Sequence, residues 1–164
     1  MGLIGKLNSC IENIGGLNLE TLVDRKLLQK KIYFLQEFGV KLGYSYGFYL
    51  YGPYSSELTS DAFFLKSMKE QAPESVEKTE LSAKEEKAMK KALKFFAKLS
   101  DKKYEIAYKL ELLSSLHFLY NISHFTPKSK KEIFRRLKER KSIQDDADLE
   151  KAWTLLSSNS LISE

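Results

Sequence analysis

The stretch that most constrains the fold is YEIAYKLELLSSLHFLY, residues 104–120. Read as a helix, it is apolar on nearly every side. Such a helix is stable in water only when other elements of the fold cover it. The sequence therefore predicts a central buried helix here, with Leu110, Leu113 and Leu116 in the core.

Amphipathic helices are predicted on both sides of this segment. Asp24 is predicted to cap a helix over residues 25–38 that Gly39 ends. Ser82 and Glu85 form the pattern of a capping box. The spacing of apolar residues and the caps predict the remaining helices. These are residues 3–14, a helix from Ser55 or Ser56 to about Met68, and residues 83–99, 129–140 and 146–157.

One short β element and one linker interrupt the helices. Residues 44–51 alternate around aromatic side chains, which predicts a strand that Gly52 and Pro53 break. Residues 70–80 are polar and lack periodicity. We therefore predict a mainly α protein with a small β element. Its predicted parts are an N-terminal region over 1–69, a polar linker over 70–81 and a helical region over 82–164.

Composition argues against several classes of protein. A single cysteine, Cys10, rules out a disulfide framework within the chain. The N-terminus lacks the pattern of a signal peptide, and no apolar stretch is long enough to span a bilayer. We therefore predict a cytoplasmic protein that has no contact with membranes.

Two segments carry a resemblance to known proteins. DRKLLQKKIYFLQEFGV (24–40) and FYLYGPYSSEL (48–58) resemble the YwgA-like group of small prokaryotic proteins, and are loosely similar to the antitoxin-type Panacea domain. The match covers roughly residues 24–65. The resemblance implies a winged-helix or helix-turn-helix N-terminal half, packed with a helical C-terminal half, and a regulatory or defence-associated setting. It implies no catalytic residue.

Residues 44–56, YSYGFYLYGPYSS, include six aromatic residues among thirteen. Strand alternation predicts that Tyr44, Tyr46, Phe48 and Leu50 face the core. One interpretation is a structural corner whose tyrosines bond internally. The other is a rigid recognition corner, because aromatic rings interleaved with cations suit nucleic acid or an acidic protein surface. Its residues would be Arg25, Lys26, Lys30, Tyr49, Tyr51 and Tyr54.

The basic charge is concentrated in residues 128–141, KSKKEIFRRLKERK. This segment holds eight basic and two acidic residues, while the whole chain has a net charge of +5. It is either a solvated face or a surface that contacts phosphates. The next helix begins with DDADLE, whose acids would repel DNA, so we expect no sequence readout here. The candidate binding residues are Lys130, Lys131, Arg135, Arg136, Lys138 and Arg140.

A second basic pattern lies in the helix at 83–99. Lysines at 84, 87, 91, 94 and 98 form one stripe, opposite a stripe of apolar residues. This pattern is typical of a solvated face.

No catalytic or metal-binding motif is present. His117 and His124 lie seven residues apart without an HExxH pattern, and Cys10 has no recognisable base near it. We predict a non-enzymatic regulatory module, without a cofactor, that contacts nucleic acid through the basic helix and the tyrosine corner. The alternative is a protein–protein interaction module, such as an antitoxin-like partner or a subunit of a complex. The sequence leaves a homodimer open.

Overall fold

The computed structural model describes residues 2–122, 129–140 and 145–163. In these residues the chain forms seven α-helices, one 3₁₀ turn and a two-stranded antiparallel sheet, which confirms the predicted mainly α class. The elements are α1 (Gly2–Asn13), α2 (Leu22–Phe38), β1 (Gly47–Tyr49), β2 (Gly52–Tyr54), α3 (Ser56–Gln71), the 3₁₀ turn (Pro73–Ser75), α4 (Ala83–Ala97), α5 (Lys103–Ile122), α6 (Lys130–Arg140) and α7 (Asp146–Ser158).

The central helix is α5, as predicted. It packs against α2, β2, α6 and α7, and Leu110, Leu113 and Leu116 are almost completely buried. Burying a leucine contributes roughly 1.5–3 kcal/mol. Because α2 and α7 both pack on α5, this helix joins elements from both ends of the chain. Over the described ranges, neither α5 nor any other helix is long and apolar enough to cross a membrane.

The start of α2 differs from the prediction. The helix begins at Leu22, and its N-cap is Thr21 rather than Asp24. The Thr21 hydroxyl accepts a hydrogen bond from Asp24 N (3.1 Å), and the Asp24 carboxylate accepts one from Thr21 N (3.2 Å). Asp24 is thus the N3 residue of a capping box, the position from which an acidic side chain reaches back to the backbone N–H of the N-cap. Gly39 ends the helix as predicted.

The predicted strand over 44–51 is wrong in its bounds. The chain turns at Leu50 and Tyr51, so Gly52 and Pro53 lie inside β2 and pair with residues of β1. Gly52 has a φ of 90°, which favours glycine. A Cβ on it would also lie 2.4 Å from Ser115 Oγ. The hairpin backbone therefore passes directly against α5.

The predicted polar linker is attached to α1. The preceding helix, α3, continues past the predicted end to Gln71. Thr79 N donates to Gly5 O (3.1 Å), and Ser9 Oγ donates to Thr79 O (2.8 Å). Asn8 Nδ2 donates to Glu77 O (3.2 Å). These bonds hold the segment along the first helix.

The position of α4 is set by its cap and by one aromatic face. Ser82 and Glu85 form the predicted capping box. Phe95 is fully buried, and its ring lies 5.0 Å from that of Phe34 and 5.4 Å from that of Phe38, measured between centroids. These contacts fix α4 on α2 and leave its lysines on the outside.

Candidate functional site

A groove opens between the N-terminal half of α2, the β-hairpin and α3. Its volume is about 430 Å³, which lies within the range of ligand-binding pockets. The lining is mostly apolar, and we call it the tyrosine groove. It brings together all six residues of the predicted recognition corner: Arg25, Lys26, Lys30, Tyr49, Tyr51 and Tyr54.

One wall of the groove consists of tyrosines that hold each other in place. The Tyr54 hydroxyl accepts a hydrogen bond from Thr59 Oγ1 at 2.8 Å. The Tyr49 ring packs edge-on against Tyr54, with 5.3 Å between centroids. Tyr49 is nevertheless 58% exposed. The wall is thus ordered by internal contacts while it presents a large aromatic surface to the outside.

Other tyrosines of the same stretch are internal. The Tyr44 hydroxyl donates to Asp61 Oδ2 (2.7 Å), and the Tyr46 hydroxyl donates to Gln29 O (3.1 Å). Burial raises the pKa of both hydroxyls above the ordinary value, so they stay protonated. The two interpretations of the corner therefore apply to different tyrosines, since some bond internally and others line the groove.

The tip of the hairpin adds apolar surface beside the groove. Leu50 is 78% exposed, whereas strand alternation predicts that it faces the core. That prediction is wrong because the chain turns at Leu50, which ends the alternation. Leu22 and Phe63, which also line the groove, are each 45% exposed. Large apolar side chains this exposed and this close together are typical of an interaction surface.

Buried polar side chains of α2 fix the hairpin and the start of α3. Lys30 is only 2% exposed, and its ammonium donates to Pro53 O at 2.5 Å. The Gln29 amide accepts from Ser55 N (2.9 Å) and donates to Ser55 O (2.9 Å). The structure therefore places Lys30 as an anchor beneath the hairpin, and its charge is not presented at the surface.

The rim of the groove carries two cations. Arg25 Nη1 donates to Leu19 O (2.8 Å) and to Glu20 O (3.2 Å). Lys26 Nζ lies 3.9 Å from the centroid of the Tyr51 ring and 3.1 Å from Glu111 Oε1. Lys26 is thus balanced by an acid of α5. Arg25 is held by neutral carbonyls, which orient the guanidinium and leave its positive charge in place.

The sequence analysis missed part of the lining. Leu22 and Gln29 both line the groove and share a face of α2 with Arg25 and Lys26, at helical spacing. Once Arg25 or Lys26 is chosen as a site residue, the i±3 and i±4 spacing identifies Leu22 and Gln29 as its neighbours on the helix. Phe63 comes from α3, and no local pattern connects it to α2.

The second predicted site, on α6, has most of its cations in ion pairs. Lys130 Nζ lies 2.5 Å from Glu150 Oε2, and Lys138 pairs with Asp146. Both acids belong to the start of α7, the segment whose charge speaks against DNA. They lie across from the basic helix and neutralise part of it.

Further acids lie on α6 itself. Arg135 pairs with Glu132 and Glu139, and Arg136 Nε lies 3.3 Å from Glu132 Oε1. The guanidinium of Arg135 lowers the pKa of Glu132 to about 2, so this carboxylate is ionised at every physiological pH.

The remaining predicted cations of α6 have different surroundings. The Arg140 guanidinium lies 4.9 Å from the centroid of the Phe48 ring, which links α6 to the hairpin. Lys131 is exposed near the start of the helix. Lys128 and Lys141, at the ends of the basic segment, and His124 lie outside the described residues.

The cysteine and the described histidine are both buried. Cys10 is fully buried, and burial raises its pKa to about 11, so the thiol stays protonated at neutral pH. His117 has its Nδ1 2.7 Å from the Tyr33 hydroxyl and its Nε2 2.9 Å from Leu161 O. Among the residues that the structure describes, no group of three or more His, Cys, Asp and Glu side chains is placed to hold a metal ion.

No family model, curated protein or solved structure matches this chain. The resemblance to the YwgA-like group, and the winged-helix assignment that it implies for the N-terminal half, stay predictions.

Proposed function

We propose that the chain is a non-enzymatic protein-interaction module. In this proposal the tyrosine groove binds an apolar segment of a partner protein, and that segment carries a carboxylate. The observation that supports it is the juxtaposition of an apolar groove, the exposed rings and side chains of Tyr49, Leu50 and Phe63, and the charged rim residue Arg25.

The apolar part of the groove supplies the affinity in this proposal. Burying apolar surface contributes roughly 25 cal/mol per Å². The wall formed by Tyr49 and Tyr54 is held by internal contacts before any partner arrives. Because little side-chain freedom remains to be lost, binding to such a wall has a low entropic cost.

The rim supplies the orientation. A guanidinium presents a planar fork of donors that suits a carboxylate. Two backbone carbonyls already orient the Arg25 side chain. A segment with apolar residues and one suitably placed Asp or Glu therefore complements the groove in both shape and charge.

Nucleic-acid contact through α6 has less support than this proposal. Lys130, Arg135, Arg136 and Lys138 each have a carboxylate partner in the fold. A phosphate would have to displace these carboxylates, which removes part of the gain from counterion release.

A displayed library of short random peptides tests the proposal. Peptides are selected on the wild-type protein and counter-selected on the Tyr49→Ala variant. We expect enriched peptides to combine apolar residues with Asp or Glu. Tyr49→Ala should lower their affinity about tenfold or more, which corresponds to about 1.4 kcal/mol.

The matched control is Tyr104→Ala. Tyr104 is a 74% exposed tyrosine on α5 that does not line the groove, so its removal should leave peptide affinity unchanged. Selected peptides that bind Tyr49→Ala as tightly as wild type would contradict the proposal, as would a selection that enriches no peptide. Self-association of the wild type that Tyr49→Ala abolishes would reassign the groove to a homodimer.

A further inference from the structure

After Glu86, the exposed charges of helix α4 are all positive. Between Glu86 and Asp101 the sequence contains five lysines and no carboxylate. All five side chains are exposed. We call them the lysine face: Lys87, Lys90, Lys91 and Lys94 of α4, and its C-cap residue Lys98.

The five lysines lie close together on the helix. An α-helix turns by about 100° per residue, so their directions fall within an arc of roughly 100°. Lys87 and Lys98 are separated along the axis by roughly 16 Å, at a rise of 1.5 Å per residue. The result is a patch of ammonium groups on one side of the helix.

This arrangement opposes helix stability. Like charges three or four residues apart destabilise a helix, and Lys87–Lys91, Lys91–Lys94 and Lys94–Lys98 all have that spacing. A face whose only task is to meet water gains from mixing acids with bases, as α6 does with Glu132 and Glu139. The lysine face therefore carries more unbalanced positive charge than a face that only meets water requires.

No carboxylate in the described part of the chain pairs with the lysine face. The ion pairs among the described residues involve other lysines and arginines. The buried acid of α4 points elsewhere, since Glu85 pairs with Lys6 and accepts a hydrogen bond from Lys41 N. The charge of the lysine face is thus available to an outside anion.

We propose that the lysine face binds the sugar–phosphate backbone of duplex nucleic acid, without reading the bases. A duplex carries one negative charge per roughly 1.7 Å of its axis, so roughly 16 Å offers roughly nine charges in a regular array. Compact ammonium groups on flexible stems match such an array as point charges. They have no fixed geometry with which to distinguish one base from another.

Other polyanions fit less well. A helix that lies in a membrane surface inserts an apolar face, but the apolar face of α4, including Met89 and Phe95, is buried in the core. The centres of protein–protein interfaces are depleted in lysine and enriched in aromatic residues. The lysine face has neither an apolar side to insert nor an exposed aromatic ring between its charges.

The lysine face on α4 and the tyrosine groove are placed by different parts of α2, since α4 packs on its C-terminal half and the groove opens at its N-terminal half. The residues Phe34 and Phe38 of α2 contact α4, whereas Arg25, Lys26 and Lys30 line the groove. The present proposal does not depend on the proposed function of the groove. If both hold, the module connects a protein partner to a nucleic acid.

Fluorescence anisotropy with a labelled duplex DNA, titrated across a salt series, tests the proposal. The test variant is the triple substitution Lys87→Gln, Lys91→Gln, Lys94→Gln, since glutamine keeps helix propensity. For three lost phosphate contacts, the slope of log K against log salt should become shallower by about 2.7. A second duplex of unrelated sequence should bind with the same affinity.

The matched control carries Lys66→Gln, Lys69→Gln and Lys78→Gln, which removes the same net charge from another surface. Its salt slope should stay at the wild-type value. Absence of binding at low salt, or an equal change of slope in both variants, would overturn the proposal. So would a tenfold preference for one duplex, or binding to phosphatidylserine vesicles that is tighter than binding to DNA. Circular dichroism of each variant checks that the helices are retained.

Discussion

The two basic helices of this protein carry their charge in different ways. In α6, acids of the same helix and of α7 pair with most of the cations, as Lys130 does with Glu150 and Lys138 with Asp146. In α4, the five lysines of the lysine face have no such partner in the described residues. The most basic segment of the sequence is therefore not the most available positive surface of the fold.

The difference teaches that the position of the acids, rather than the count of the bases, decides where a positive surface forms. Glu132 lies among the arginines of α6 and pairs with two of them. Glu85 points into the protein, where it contacts Lys6 and the backbone of Lys41. One acid neutralises the helix that carries it, while the other fixes its helix to the fold. Most cations of α6 thus have structural partners, and the lysine face of α4 has none in the described residues.

The largest expected effect concerns how each helix is anchored. Phe95→Ala should lower the free energy of unfolding by about 3–5 kcal/mol, because Phe95 is fully buried among Phe34 and Phe38. Phe134→Ala on α6 should have a smaller effect, since that ring is only partly buried beside Trp153. Urea denaturation measures both. Equal losses in the free energy of unfolding would show that α4 is held no more firmly than α6, which would contradict the difference in anchoring.

Much of the fold was predictable because its determinants are local. The capping box of Ser82 and Glu85 needs four consecutive residues, and the central helix α5 is recognisable from its own apolar content. Part of the site was predictable for a similar reason. Arg25, Lys26 and the tyrosines of the hairpin lie on elements that follow each other closely, so they meet in one groove.

What the sequence did not show depends on contacts between distant residues. The burial of Lys30 follows from its bond to Pro53 O, which forms only once the hairpin folds back over α2. The neutralisation of Lys130 and Lys138 on α6 follows from acids on a different helix. The turn at Leu50 was not predicted, because strand alternation does not indicate where a strand ends. In each case one sequence pattern fits several surroundings, and only tertiary packing decides among them.

Charge reversal should have opposite effects on the two helices. Lys91→Glu places a carboxylate between Lys87 and Lys94, which replaces repulsion by attraction at i−4 and i+3. We expect the free energy of unfolding to rise by about 0.5–1 kcal/mol at low salt. Arg135→Glu should lower it, because Glu132 and Glu139 would lose their cationic partner and face a third carboxylate.

Urea denaturation at low and at high salt measures both changes. Since exposed charges are screened, both effects should shrink in high salt. A Lys91→Glu variant that is destabilised at low salt would show that the lysine face is not under repulsive strain. The same variant should bind duplex DNA more weakly than wild type, which separates the stability of the helix from its proposed use.

The smallest expected effect separates Glu132 from Glu85 by salt. Both carboxylates have a pKa lowered to about 2. For Glu132 the main cause is the exposed Arg135 guanidinium. For Glu85, burial alone would raise the pKa, but Lys6 and the amides of Lys41 and Ser82 outweigh it. Because salt screens exposed charges more than partly buried ones, high salt should return the pKa of Glu132 toward the ordinary value and change that of Glu85 less.

The sign of the pH effect is the same for both acids. A lowered pKa in the folded state gives stability that is complete above the unfolded pKa of about 4.3 and is lost as pH falls toward 2. Carbon-detected NMR of the side-chain carboxyls follows each pKa directly. Glu132→Gln should lose less stability on acidification than wild type at low salt, and this difference should vanish in high salt. If salt moved both pKa values equally, the distinction between the neutralising acid of α6 and the anchoring acid of α4 would fail.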